Sequence, residues 1–453
     1  MRASSLIILF FFALSFAPLK SVNAKESVLD IQEVKSESGL TAWLVEDHSV
    51  PVIALNIGFK NAGSAYDPAN KQGLARLVSN TMDEGAGSLN AKSFQKELRD
   101  LSINLGFSAG RDNFSASLKT LTKNKKRAFE LLELALTQPR FDKDAVERMR
   151  QANQSRIRSS LSDPSWIAAR IMNDKAYEGH PYSMNNGGTL SSLDNISIKD
   201  LKAFHEQRIG RNNIAIAVAG DITADELKTV LDEIFSDIKT VDLKPVENID
   251  IQNGGQTFLY KHDVPQVFIE IMQPSIKIDD PAYQAAQVMN FILGSSGFGS
   301  RLTEEIREKR GLTYGVYSYF NNMNYAQSLA VSTSTSVENT EKMLSLIKAE
   351  FNKLAQTPIS EQELQDAKSY LLGSLPLSLT STDKISGLML QMQLNGRSID
   401  YLDTRQETIK AMRIEDIQKI AKRLLNPEKF TTVLVGQPEL KDANIIKTLP
   451  NAE

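Results

Sequence analysis

The sequence predicts an α+β fold in two similar halves, each a mostly antiparallel sheet with helices packed on one face. Three observations lead there. At 453 residues the chain is too long for one ordinary hydrophobic core. Strand-like segments come in runs, followed by runs of helical periodicity, which favours segregated layers over regular βαβ alternation. That order also occurs twice, and each half ends its sheet pattern on a comparable apolar strand, Ala-Val-Ala-Gly220 and Val-Leu-Val-Gly436.

Taken in order, apolar and polar residues alternate at 41–46 and 52–60, as in half-buried strands. Helical spacing follows at 71–84 and 91–104, and alternation returns at 103–108 and 114–121. Helices are expected at 124–137, 142–161 and 164–177. A further helix at 198–209 leads into the apolar strand 213–220, and one at 223–235 closes the half. The second half repeats the order with strands 258–261 and 266–272, helices 281–293 and 300–310, and strands 314–320 and 328–335. Helices 338–355, 361–373, 382–395 and 414–425 then lead to the strand 430–436. Segment 241–255 has no periodicity and reads as a linker between domains spanning 25–240 and 256–453.

The first residues read as a secretory signal: Arg2, an apolar run at 6–16, and small residues at Val22-Asn-Ala24 before a cut ahead of Lys25. That apolar run is shorter than the ~20 residues of a membrane span, so residues 1–24 predict export without stable membrane insertion after cleavage. Cysteine is absent, which excludes disulfides, cysteine zinc sites, thiol catalysis and a lipoprotein anchor. An exported, cysteine-free chain of this kind is expected in a Gram-negative periplasm. The formal charge of -3, without blocks of like charge, gives no reason to expect nucleic acid as a partner.

The most specific stretch is Phe298-Gly-Ser-Arg-Leu-Thr-Glu-Glu-Ile-Arg307-Glu-Lys-Arg-Gly-Leu-Thr-Tyr314. Ser300 suits a helix N-cap and Gly311 a left-handed residue just past the helix end. Arg307 therefore sits near the end of a helix, with Tyr314 opening the next strand. From spacing alone, Arg307 reads as a solvated helix arginine and Tyr314 as an ordinary strand tyrosine. The segment as a whole, however, resembles the arginine/tyrosine motif of the M16 zinc peptidases, the insulinase and mitochondrial-processing-peptidase type. The resemblance covers essentially 25–445. It implies two homologous α+β domains of the M16/LuxS-like fold facing each other across a cleft.

In that family the first half carries His-x-x-Glu-His, two imidazoles one helical turn apart on a zinc and a glutamate general base. The matching positions here are Arg76, Ser79 and Asn80. A guanidinium has no free lone pair, a neutral amide is a weak zinc ligand, and a serine hydroxyl is no base at neutral pH. The family's further glutamate ligand is expected on the 142–161 helix, yet 148–162 contains no carboxylate. His48, His180, His205 and His262 have no helical-spacing partners. The resemblance therefore implies no metal in this chain, and leaves open whether Arg76 fills the vacant pocket or lies exposed.

The Arg/Tyr motif implies the complementary role. Tyr314 would donate to the oxyanion formed on the scissile carbonyl, and Arg307 would hold the peptide backbone or orient that tyrosine. Some bacterial members are split into two polypeptides, so zinc is expected in a homologous partner that keeps His-x-x-Glu-His. The leading expectation is a non-catalytic, peptide-binding subunit of a periplasmic heterodimeric zinc endopeptidase. The alternative is a peptidase-dead binding or assembly protein acting as a homodimer.

Overall fold

A computed structural model describes residues 27–451, and the expected signal segment 1–24 lies outside them. Six strands of the first half form one sheet: β1 (Gln32–Lys35), β2 (Thr41–Glu46), β3 (Val52–Phe59), β6 (Asn104–Ala109), β7 (Phe114–Leu121) and β8 (Ile214–Gly220). A small hairpin of β4 (Gly85–Ala86) and β5 (Leu89–Asn90) stands apart from it. The second half supplies β9 (Thr257–Lys261), β10 (Val267–Pro274), β11 (Val316–Asn322), β12 (Gln327–Thr335), β13 (Thr431–Gly436) and β14 (Asn444–Ile446). The sheet orders are β1-β2-β8-β3-β7-β6 and β14-β9-β13-β10-β12-β11.

Without the outer strands β1 and β14, the two orders superpose strand for strand. Within that common set all neighbours are antiparallel except β2–β8 and the corresponding β9–β13. The helices after the last hairpin also correspond, Lys125–Thr137 with Thr340–Gln356, Lys143–Ser160 with Glu361–Gly373, and Pro164–Ala176 with Thr382–Leu394. Gly220 and Gly436 occupy equivalent strand ends, with φ of 123° and 152°. A Cβ at Gly220 would lie 2.1 Å from the Val52 carbonyl oxygen, so the bare backbone is needed there.

Each sheet carries its own helices on one face, as the sequence predicts. The opposite face is covered by one helix from the other half. Strand alternation separates the two faces: Leu44, Ile216 and Val218 join the first half's core, while Trp43, Val45, Ala215, Ala217 and Ala219 pack against Ile385, Met389 and Leu390. Those last three residues belong to helix Thr382–Leu394. Reciprocally, Ile167, Ile171 and Met172 of helix Pro164–Ala176 pack with Phe258, Met272, Val433 and Val435 of the second sheet.

Small residues set the close approach. At Gly58 a Cβ would fall 2.9 Å from a terminal methyl of Leu394, so a side chain there would force the docked helix's leucines to shift. Polar contacts fix the docking, with Asn56 Nδ2 donating to Ser386 Oγ at 2.7 Å and Gln393 Nε2 to the Ile216 carbonyl at 2.8 Å. Since both faces are covered, the central strands β8 and β13 are buried almost throughout.

Between Phe235 and Thr257 there is no helix or strand. The connecting segment is nevertheless held down. The Ile249 N–H donates to the Tyr325 carbonyl and the Gln252 N–H to the Ala176 carbonyl, and Val246, Ile249 and Ile251 pack against the interface core. Tyr325 also links the halves directly through Tyr66 at 3.1 Å and Asn61 at 2.8 Å.

Candidate functional site

The expected helix over 71–84 is realised as Leu74–Ser79. It starts late because Gly73 is left-handed at φ 88°, and a Cβ there would strike Gly188. The Asp67 carboxylate, placed before the helix, accepts from the N–H groups of Gly73 at 2.9 Å and Ala75 at 3.0 Å. Burial nonetheless pushes its carboxyl up to about 8.

Arg76 is half-buried and shares a cavity of about 230 Å³ with Asn153, Arg156, Trp166, Arg170 and Asn185. Arg76 lines this cavity beside Asn153, Arg156, Ile157 and Ser160 of helix Lys143–Ser160, the helix on which the missing carboxylate ligand was expected. Burial, with Arg156 nearby, lowers its pKa. The Ser79 hydroxyl is committed as a donor to the Arg76 carbonyl at 2.9 Å. Asn80 buries its Oδ1 without a hydrogen-bond partner in the protein.

These residues do not fit a catalytic zinc. The cavity offers cations and amide donors where a divalent metal needs lone pairs and negative charge. Among the described residues no group of three or more His, Cys, Asp or Glu could hold a metal ion. The histidines have other engagements: His48 with Asp221, His180 with the Glu247 carbonyl, His205 with the Leu136 carbonyl, and His262 with its ring tilted 6.2 Å from that of Tyr260.

Arg307 and Tyr314 lie elsewhere. Their helix ends in a wide turn, Thr303–Glu308, with the Lys309 N–H reaching back to the Glu304 carbonyl at 3.0 Å. Such π-type turns recur at functional positions. Ser300 caps the start weakly, accepting from the Thr303 N–H at 3.4 Å. Gly311 ends the helix at φ 62°, its N–H donating to the Arg307 carbonyl at 2.8 Å. The strand begins at Val316 rather than at Tyr314, because Thr313 and Gly315 close a turn through the Thr313 hydroxyl.

Tyr314 consequently stands free of the sheet and is 86% exposed. Its hydroxyl has no hydrogen bond among the described residues. The Arg307 guanidinium lies 4.5 Å from the ring centre of exposed Phe298 and 3.6 Å from Glu308. Arg307 and Tyr314 line one cavity of about 540 Å³ together with Gln266 and Asn339. That cavity shares no residue with the one around Arg76. The chain thus brings Arg307 and Tyr314 together but does not bring them to Arg76, Ser79 and Asn80.

Sequence reasoning missed Arg170 and Asn185, since no spacing ties them to Arg76.

A family model described as "Insulinase (Peptidase family M16)" matches residues 45–189, and one described as "Peptidase M16 inactive domain" matches 195–371. The chain is 26% identical over 415 residues to "Non-peptidase homolog YmxG" of Helicobacter pylori, covering 90% of this chain and 94% of that protein. It is 23% identical over 428 residues to "Zinc protease PqqE" of the same organism, covering 92% and 95%. A solved structure, a peptidase M16 inactive domain from Pseudomonas fluorescens, superposes with a TM-score of 0.85 at 28% identity, covering 92% of this chain and all of that one. Its duplicated topology, its cation-lined cavity in place of a ligand set and these matches place the chain in the M16 peptidase family, as an inactive, peptidase-like homologue.

Proposed function

We propose that the chain is the non-catalytic, substrate-binding subunit of a periplasmic heterodimeric M16 zinc endopeptidase. Zinc and His-x-x-Glu-His sit in a homologous partner, and this chain completes the composite site with Arg307 and Tyr314. One observation carries the reading: both side chains reach one surface cavity, which shares no residue with the cavity around Arg76. Tyr314 would donate to the oxyanion, and Arg307 would grip the peptide backbone or orient the tyrosine. The neighbouring strand β11 is a sheet edge, which suits an extended peptide that adds main-chain hydrogen bonds. Among the relatives, a protein named a non-peptidase homologue and one named a zinc protease occur in one organism, which is compatible with such a division of labour.

The test is hydrolysis of unstructured peptides, with zinc, by the chain, by a co-encoded His-x-x-Glu-His homologue, and by their mixture. Activity confined to the mixture is expected. Tyr314→Phe should reduce it about 10²–10³-fold, the cost of one lost oxyanion donor. Arg307→Ala should also abolish most of the gain. The Tyr314 change, at a side chain 86% exposed, should alter subunit stability by no more than about 0.5 kcal/mol. The Arg307 change, at a side chain 33% exposed, should alter it by about 0.5–1 kcal/mol through the lost contact with Phe298. A mixture no more active than the partner alone would overturn the proposal. The second reading, favoured by the relative named a non-peptidase homologue, would then stand: a peptidase-dead binding or assembly protein acting as a homodimer.

A further inference from the structure

We infer that the cavity around Arg76 is a binding site for a small organic carboxylate, occupying the place where the family's metal would sit. Among the residues lining the cavity, every fully buried side-chain atom without a protein partner is a donor. Asn185 has its carbonyl oxygen fixed by the Gly187 N–H at 2.9 Å, which leaves its Nδ2 buried and unpartnered. Asn153 likewise buries an unpartnered Nδ2. Arg170 is only 8% exposed, yet its Nε and one Nη have no hydrogen-bond partner in the protein.

Three guanidinium groups, Arg76, Arg156 and Arg170, line this space, and none forms an ion pair with a carboxylate among the described residues. Arg111 adds further positive potential at Arg170. Buried donors and like charges are costly unless an acceptor-rich anion completes them. Guanidinium forks and amide N–H groups match the two oxygens of a carboxylate.

The wall also selects the rest of the ligand. Trp166 stacks under Arg170 at 5.3 Å, and Ile157 lies alongside, so the anion should carry a short apolar stem. A volume of about 230 Å³ accommodates a small acid or the last residue of a peptide. The shared chemistry is therefore a carboxylate on an aliphatic stem, either free or as a peptide C terminus. This inference concerns the chain alone and stands or falls independently of any peptidase partner.

The experiment is calorimetric titration of the full mature chain at low salt with N-acetyl-leucine, N-acetyl-leucinamide, inorganic phosphate, and Ala-Ala-Ala-Leu with a free or amidated C terminus. N-acetyl-leucine should bind, and its amide should bind at least about tenfold more weakly, as expected for loss of charge-assisted hydrogen bonds. Tighter binding of the free-acid peptide than of N-acetyl-leucine identifies a peptide terminus as the source, and the reverse identifies a free acid. Arg156→Gln, at an exposed position that does not threaten folding, should weaken the acid about tenfold, and Arg76→Gln at least as much. Equal binding of acid and amide, no binding of either acid, or phosphate binding as tightly as N-acetyl-leucine would each overturn the inference.

Discussion

Replacing Ile171 by Ala tests whether the reciprocal helix exchange makes the two halves one cooperative unit. Ile171 belongs to the first half by sequence but is fully buried in the core of the second sheet, beside Met272 and Val433. Its truncation removes three carbons, a transfer loss of ~2.4 kcal/mol at ~0.8 per group. A residual cavity adds to that, giving about 3 kcal/mol for a site held by packing on both sides. Entropy of unfolding scales at about 2.1 cal/mol/K per residue. If all ~425 described residues unfold together, a loss of about 3 kcal/mol lowers Tm by ~3 °C. If the second half, ~195 residues, unfolds on its own, the same loss lowers its Tm by ~7 °C. Scanning calorimetry of wild type and variant reads the shift and compares calorimetric with van't Hoff enthalpy. One transition with a shift near 3 °C is expected, and Met389→Ala, its counterpart on the first sheet, should behave alike. Two separated transitions, with only one moved by each substitution, would refute the reasoning.

Three further outcomes follow from individual residues. Arg301, 13% exposed, grips Glu363 through two hydrogen bonds of 2.6 and 3.1 Å and ties the Arg307 helix to its neighbour, so Arg301→Ala should cost about 2–3 kcal/mol in urea unfolding, and Arg301→Lys, lacking the fork, should restore little of it. Glu270 is buried beneath the Tyr319 hydroxyl at 2.6 Å, and burial pushes its carboxyl up to about 7. Its folded pKa lies above the unfolded value of about 4.3, so there is no penalty at low pH; stability is lost as pH rises from ~4.3 to ~7 and stays lost above. Glu270→Gln should therefore gain on wild type across that window, by up to about 3 kcal/mol at neutral pH, and a gain independent of pH would contradict the assignment. Gly220→Ala should lower the urea midpoint by the equivalent of at least ~2 kcal/mol, because φ of 123° and the Val52 carbonyl both exclude a side chain; an unchanged midpoint would mean that the strand end shifts freely.

The duplicated strand pattern was legible because it depends on local alternation. In β7, Phe114, Ala116 and Leu118 point inward, as the sequence implies. The outer strands β1 and β14 were missed since each is short, mostly unburied and without a strong apolar repeat. Helix Tyr401–Ala411 escaped for a related reason: only Leu402 and Ile409 are buried, too few to define a face. The periodicity of Pro164–Ala176 gave a helix but not its destination, because a hydrophobic stripe does not say which sheet it covers. At the site, Arg307 and Tyr314 were found as a motif, whereas Arg170 and Asn185 reach the Arg76 cavity through tertiary packing that no spacing encodes.

The helix exchange bears on what joins this protein together. The peptide connection at 241–255 is the sole covalent tie between the halves, but the mechanical joint lies in helices Pro164–Ala176 and Thr382–Leu394. A protease cutting the connection would leave two fragments, each holding the helix that seals the other's sheet. Neither can depart without baring an apolar sheet face, so the nicked molecule should travel as one particle in gel filtration and come apart only in denaturant.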